Sequence, residues 1–388
     1  MPSRVTSIDI PFAIPQTHRV RITEDVLGED AEVLLELLQR SGEAPPRVQF
    51  WVDEDLADAG PGLLRRVENV IRTGGERIRL AGPIQRVPGG EACKNDPRLI
   101  DRMLELFHRE DLDRRSYVVV IGGGAVLDAV GYAASIAHRG IRLVRLPTTT
   151  LAQADSGVGV KNAVNWFGKK NWKGTFAVPW GVINDRRLLE TLSDRDFRCG
   201  FSEAVKVALL KDVEVFASLC ENASRIAHRD AEASQAAIAA SVRMHLDHIT
   251  QGGDPFEMRE ARPLDFGHWS AHRLEPLSGY RIRHGEAVAI GVAIDAMYSA
   301  RVHGLAQADA ERVLDCLLAM QLPIADTLLE DPEMLRIGLE EFRQHLGGRL
   351  TVTMLREVGD PIHVHEIDWP EMREAIEAVR QHAALRMS

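Results

Sequence analysis

The run YVVVIGGGAVLD, residues 117–128, constrains the fold more than any other segment of the chain. Its apolar residues from Tyr117 to Ile121 show none of the alternation of a strand with one wet face. Both faces of such a strand are covered, as in a parallel sheet between helices. Gly122, Gly123 and Gly124 then turn the chain tightly into the next helix. Neighbouring segments repeat the pattern: residues 47–53 (RVQFWVD), 77–80 and 142–146 (RLVRL) read as strands, and 61–74 and 97–110 as helices. This alternation predicts an α/β fold with a mostly parallel, Rossmann-like sheet, whose ligands bind outside the carboxyl ends of the strands.

Beyond residue 185 long helical periods dominate: 194–220, 230–249, 284–303, 306–320 and 368–384, with only 350–354 and 362–365 extended. The expected organisation of the 388 residues is an α/β domain at 1–187 and an all-α domain at 188–388, with the site in the cleft between them. With 47 Lys+Arg against 57 Asp+Glu, the net charge of −10 argues against nucleic acid as a partner but leaves room for a local basic pocket. The four cysteines form no CxxC pair and read as reduced thiols of a cytoplasmic protein. Residues 117–137 are apolar but carry Asp128 and several glycines, and the N-terminus lacks a signal-peptide core. No membrane association is expected.

Three segments bear chemistry. The glycine turn lets backbone approach a diphosphate at a helix N-terminus. It is not GxGxxG, and the acidic residue suited to a ribose, Asp53, lies upstream, so a tight packing turn is the other reading. Residues 147–171 gather Thr148, Thr149, Thr150, Asp155, Ser156, Lys161, Lys169, Lys170 and Asn171, which suits a phosphorylated or polyhydroxyl ligand as well as a solvated connection. Finally, His268 and His272 share a helical face, and with His284 and Glu203 they offer a three-ligand metal site with an open position. A chance pair of histidines is the alternative.

As a set, PGGEACK (88–94), GGGAVLD (122–128), HRGI (138–141), PTTTLAQADSGVGVK (147–161), GKKN (168–171), FSEAVK (201–206), DFGHWSAH (265–272) and HGEAVAIG (284–291) resemble the 3-dehydroquinate synthase family of sugar phosphate cyclases. The resemblance implies NAD in the α/β domain, zinc or cobalt in the helical domain, and a homodimer. It implies that Asp53, Glu91 and Lys94 hold the adenosine end of NAD. Gly122, Gly123, Gly124 and Asp128, with Thr148 and Thr149, then bind its diphosphate and nicotinamide ribose. Glu203, His268 and His284 match the metal ligands. Arg139, Asp155, Lys161, Lys170, Asn171, Lys206 and His272 match groups that line a sugar phosphate. The implied reaction is redox-neutral: a hydroxyl is oxidised, phosphate is eliminated, the ketone is reduced again, and the opened ring closes as a carbocycle.

The departures bear on the substrate. Quinate-forming members carry an arginine seven residues before the first metal histidine, where this chain has Ala261, followed by Arg262 and Pro263. A family lysine about twenty residues before that histidine has Arg243 as its nearest candidate. The C-terminal Asp-Lys-Lys is replaced by a stretch with Arg343, His345 and Arg349, and Trp269 stands where threonine is usual. Loss of a carboxylate clamp predicts a ketose phosphate without a carboxylate, such as sedoheptulose 7-phosphate. Arg262 as a substitute clamp keeps 3-dehydroquinate synthase proper as the alternative. A metal-dependent polyol dehydrogenase and a noncatalytic sugar-phosphate sensor are the other classes.

Overall fold

The structure, a computed structural model, describes residues 7–60, 62–167, 169–258, 263–345 and 348–387. Its strands are β1 (Val20–Thr23), β2 (Arg47–Asp53), β3 (Arg79–Leu80), β4 (Gln85–Val87), β5 (Tyr117–Gly122), β6 (Arg142–Pro147), β7 (Lys161–Trp166), β8 (Lys169–Phe176), β9 (Gly181–Asp185), β10 (Val352–Glu357) and β11 (Asp360–Val364). Seven of them make one sheet in the order β1-β9-β6-β5-β2-β3, with β4 also on β2, and every pairing in it is parallel.

The helices of the first half are α1 (Ala31–Leu37), α2 (Glu54–Ala59), α3 (Leu63–Gly74), α4 (Pro97–Arg109) and α5 (Gly124–Ile136). Side chains of β5 alternate between the two faces. Val118 and Val120 pack with Trp51 under α4 and α5, whereas Tyr117, Val119 and Ile121 pack with Phe50 under α1 and α3. This two-sided burial is why the strand reads as an unbroken apolar run.

The second half is helical: α6 (Asp194–Lys211), α7 (Val213–Ala227), α8 (Ala231–Gln251), α9 (His268–Leu277), α10 (His284–Val302), α11 (Gln307–Ala319), α12 (Pro332–His345) and α13 (Trp369–Met387). Every residue of α10 from Gly285 to Ser299 is buried, so it is the central helix, covered on all sides and mostly apolar. Among the described residues no helix is long and apolar enough to cross a membrane.

Three expectations change. The helix expected over 194–220 is two helices, because Asp212 leaves the helical region (φ −154°) and its carboxylate accepts from the backbone N–H of Glu214 and Val215. That cap starts α7 and ends α6. The strand expected over 77–80 shrinks to Arg79–Leu80, since Gly75–Arg77 form a 3-10 turn. The stretch 147–171 is more than a connection: a helical turn at Ala152–Ser156 leads into the antiparallel β7–β8 hairpin.

Candidate active site

The carboxyl end of β5 opens into the glycine turn. Gly123 sits at the head of α5 with extended backbone, and no side chain caps that helix, so its first N–H groups face an incoming anion. A Cβ on Gly124 would lie 2.7 Å from the Ser156 hydroxyl, which would have to rotate away to admit it. Thr148 N donates to the Gly122 carbonyl (3.0 Å), and Thr149 Oγ1 accepts from Ala152 N (3.1 Å), so both threonines brace the turn. Asp53 ends the neighbouring strand β2, caps α2 through Leu56 N (3.2 Å), and has its carboxyl raised by burial.

Lys94 closes the 3-10 turn Glu91–Lys94 and is buried. Its buried ammonium donates to Asp128 (2.8 Å) and to the Asn171 side chain, because a charge removed from water requires an anion and further acceptors. Glu91 on the same 3-10 turn accepts from Asn165 (2.8 Å), and Asn165 in turn receives the backbone N–H of Asn171, whose φ is +53°. Lys94, Glu91, Asp128, Asn165 and Asn171 thus form one hydrogen-bonded group.

One helical turn separates Glu203 and Lys206 on α6, and both are buried. His268 opens α9 and His284 opens α10, which brings both imidazoles onto Glu203: Oε1 lies 3.4 Å from His268 Nε2 and 3.6 Å from His284 Nε2. One donor atom from each of Glu203, His268 and His284 lies within 4.8 Å of the others. Neither Glu203 oxygen makes a well-aligned hydrogen bond, although Lys206 Nζ lies 2.5 Å from Oε2. A buried, charged carboxylate with two convergent imidazoles is the donor set of a divalent zinc- or cobalt-type ion. Burial opposes the charge on Glu203, but Lys206 and His268 hold its carboxyl well below the usual range. His272 lies beside both imidazoles, with ring centroids 5.4 Å from His268 and 6.2 Å from His284. Burial, then those two neighbours, push it down to about 3, so it is neutral.

Two acidic pairs frame this cluster. Glu275 of α9 accepts from His284 Nδ1 (3.0 Å) and from Lys170 Nζ (2.6 Å). Asp155 Oδ1 lies 2.9 Å from Nε2 of the buried His245, whose Nδ1 is 3.0 Å from the Ser241 carbonyl. Neither Glu275 nor His245 was among the expected site residues. Glu275 had a legible signal, since it lies seven positions after His268 and so on the same helical face. His245 had none, because on sequence it is one more residue of an amphipathic helix.

Several expected residues have other neighbours in the structure. Arg139 lies just beyond the far end of α5, a 13-residue helix, about 20 Å from the glycine turn along its axis. Lys161 is exposed and pairs with Glu257. Arg243 points outward to Asp212 (3.6 Å), and Arg343 pairs with Glu340 on its own helix. Ala261 and Arg262, with the side chains of Pro263 and His345, lie outside the described ones.

The bulk of Trp269 turns into the core. Its Nε1 donates to Asp295 Oδ1 (2.8 Å), while Asp295 Oδ2 accepts the N–H of Gly267, a residue at φ +75° that no Cβ fits. Burial pushes the Asp295 carboxyl up to about 7 against those two donors. An unfolded value near 4 means that the folded protein holds the extra proton, so this contribution is complete below about pH 4 and lost as pH rises through 7. Between about pH 5 and 6.5 wild type is expected to lose stability relative to Asp295→Asn at up to about 1.4 kcal/mol per pH unit, the difference levelling off above pH 7. Thermal melts at several pH values check this; parallel pH slopes for the two proteins would show that Asp295 does not titrate there.

Residues 84–199 match the 3-dehydroquinate synthase N-terminal family and residues 200–341 the 3-dehydroquinate synthase C-terminal family. A relative from Cereibacter sphaeroides named 3-dehydroquinate synthase is 33% identical over 369 residues, 93% of this chain and 95% of its own. Among solved structures, 2-epi-5-epi-valiolone synthase (ValA) of Streptomyces hygroscopicus subsp. jinggangensis 5008, with NAD+ and Zn2+ bound, superposes with a TM-score of 0.85 at 24% identity, covering 96% of this chain and 99% of that one. A 2-deoxy-scyllo-inosose synthase complexed with carbaglucose-6-phosphate, NAD+ and Co2+ gives 0.76 at 23% identity, covering 92% and 96%. These two likenesses concern the fold. With two contiguous family matches and a relative aligned along nearly its whole length, the chain belongs to the 3-dehydroquinate synthase family.

Proposed function

We propose that the protein is an NAD- and divalent-metal-dependent sugar phosphate cyclase, a carbon–oxygen lyase that releases phosphate from a ketose phosphate of the sedoheptulose 7-phosphate type. The observation that carries this reading is the Glu203, His268 and His284 cluster with Lys206 against it, at the ligand-binding end of a parallel sheet. In this reading residues 1–187 hold NAD, residues 188–388 hold the metal, and the protein is a homodimer. Bound NAD would take up and return a hydride, and a bound zinc or cobalt ion would supply Lewis acidity.

The chain's own groups do the rest. The glycine turn and the uncapped N-terminus of α5 hold the diphosphate of NAD, with Thr148 and Thr149 behind them. Asp53 takes the adenosine ribose, and Asp128 with Lys94 takes the nicotinamide side. Lys206, Lys170, Lys161 and Asn171 offer donors to the substrate phosphate and hydroxyls. Neutral His272 accepts a hydrogen bond from a substrate hydroxyl, and Asp155, steadied by His245, accepts from a hydroxyl.

The absence of a carboxylate from the substrate is supported by Ala261 standing where quinate-forming members carry an arginine. Arg243 pairs with Asp212 and Arg343 with Glu340, while Arg262, the alternative clamp, lies outside the described residues. The second reading, 3-dehydroquinate synthase proper, is favoured by the names of the curated relatives.

Phosphate release from a panel of C6, C7 and C8-type sugar phosphates, with NAD and zinc or cobalt present, tests the proposal. The expected result is turnover of the neutral C7 ketose phosphate with no accumulation of NADH and a carbocyclic product by NMR. Turnover of the C7 acid sugar phosphate alone would establish the second reading. Accumulating NADH would indicate a polyol dehydrogenase, and binding of NAD and metal without any turnover would indicate a sensor.

A further inference from the structure

Glu275 is a buried carboxylate that uses both of its oxygens. It sits on α9 with His268 and His272, at successive positions of one helical face, and its side chain is 5% exposed. Oε1 meets Nδ1 of His284, on α10, at 3.0 Å. Oε2 meets the ammonium of Lys170, on β8, at 2.6 Å. A carboxylate acceptor at Nδ1 requires the ring proton there, which leaves the Nε2 lone pair free, and Nε2 is the atom turned toward Glu203. The other contact fastens a largely exposed hairpin strand from the first half of the chain to the same carboxylate. The Lys170 ammonium also lies 5.7 Å from the Tyr280 ring centroid, just beyond the end of α9.

We propose that Glu275 is a positioning residue. It fixes the tautomer and orientation of His284 for metal ligation and, through Lys170, holds the β7–β8 hairpin against the metal site. The inference rests on the reading of Glu203, His268 and His284 as the metal ligands. It adds a carboxylate behind one imidazole, an arrangement that makes the ring a stronger donor and restrains its rotation. It also makes the hairpin that carries Lys170 and Asn171 dependent on the metal site in the other half of the chain.

The test uses the full chain, stripped with a chelator and titrated with Co2+ against a chromophoric competitor. Wild type is expected to bind one Co2+ per chain, and Glu275→Gln to bind it roughly 10- to 100-fold more weakly, with an altered visible spectrum of the bound cobalt. Amide hydrogen exchange supplies a readout that does not depend on activity. Co2+ should slow exchange across residues 161–176 in wild type, and this protection should be lost in Glu275→Gln. Lys170→Met leaves the Glu275–His284 contact intact, so it should raise hairpin exchange while changing Co2+ affinity less than the Glu275 variant does.

Wild-type Co2+ affinity and spectrum in a folded Glu275→Gln protein would overturn the inference. If that variant does not fold, unchanged hairpin exchange in Lys170→Met overturns the coupling on its own. Failure of the underlying metal reading looks different: wild type itself would bind no Co2+, or His284→Ala would bind it as tightly as wild type.

Discussion

Glu203→Gln is expected to lose stoichiometric metal and to reduce turnover by about a thousand-fold or more, while NAD binding persists. The side chain is fully buried, and its charge is the only anionic donor among the three candidate ligands. Glutamine keeps the shape but removes the charge, and its amide N–H2 group points a donor at Lys206 or at an imidazole. A Lewis acid contributes several kcal/mol of charge stabilisation, and each 1.36 kcal/mol is a factor of ten in rate. Metal content per chain, phosphate release and NAD titration measure the three effects separately. A variant that retains one metal per chain would remove Glu203 from the ligand set.

The second large effect is expected from Arg145, which plays no part in the chemistry. This guanidinium on β6 is fully buried, and burial pushes it down to about 10. It donates to the carbonyls of Gly157 (3.1 Å), Gly159 (2.9 Å) and Lys161 (3.0 Å) and to Asn162 Oδ1 (2.6 Å). The loop between the Ala152–Ser156 turn and β7 is therefore wound around one side chain. In Arg145→Met these acceptors are left buried without a donor, at about 1–3 kcal/mol each, partly offset because the desolvated charge is also gone. A net loss on the order of 4 kcal/mol corresponds, for a chain of 388 residues, to a melting temperature lower by roughly 5 °C. A shift of less than about 3 °C would mean that the loop holds its shape without Arg145.

The parallel sheet was legible because burial on both faces leaves an unmistakable apolar run in β5, and the glycine turn because close backbone approach leaves glycines. The candidate metal cluster was legible because its residues lie in compact motifs, His268 and His284 each opening a helix, although Glu203 sits in the middle of α6 rather than at its head. The β7–β8 hairpin was not, since the β8 sequence KKNWKGTF has one largely wet face and its lysines mask any alternation. His245 escaped for a related reason: its meaning depends on Asp155, ninety residues earlier, and no local pattern records that contact. Arg243 looked suitable by charge alone, yet the helix turns it outward, and the residue two positions later faces the site. Charge type at an approximate spacing is thus a weaker guide than the face of the helix that carries it.

The strand order has a consequence for how the chain reaches this state. Val20 of β1 pairs with Val182 of β9, so the first strand of the sheet waits for the last. During synthesis the segment holding Val20–Thr23 has no partner in the sheet until residue 185 has emerged, and closing so long a loop is slow relative to local helix formation. The nascent first half therefore passes through a stage in which β6 is an open edge and the N-terminal strand is unplaced. That interval, rather than any weakness of the finished sheet, is when this protein is most exposed to strand exchange with a second nascent copy.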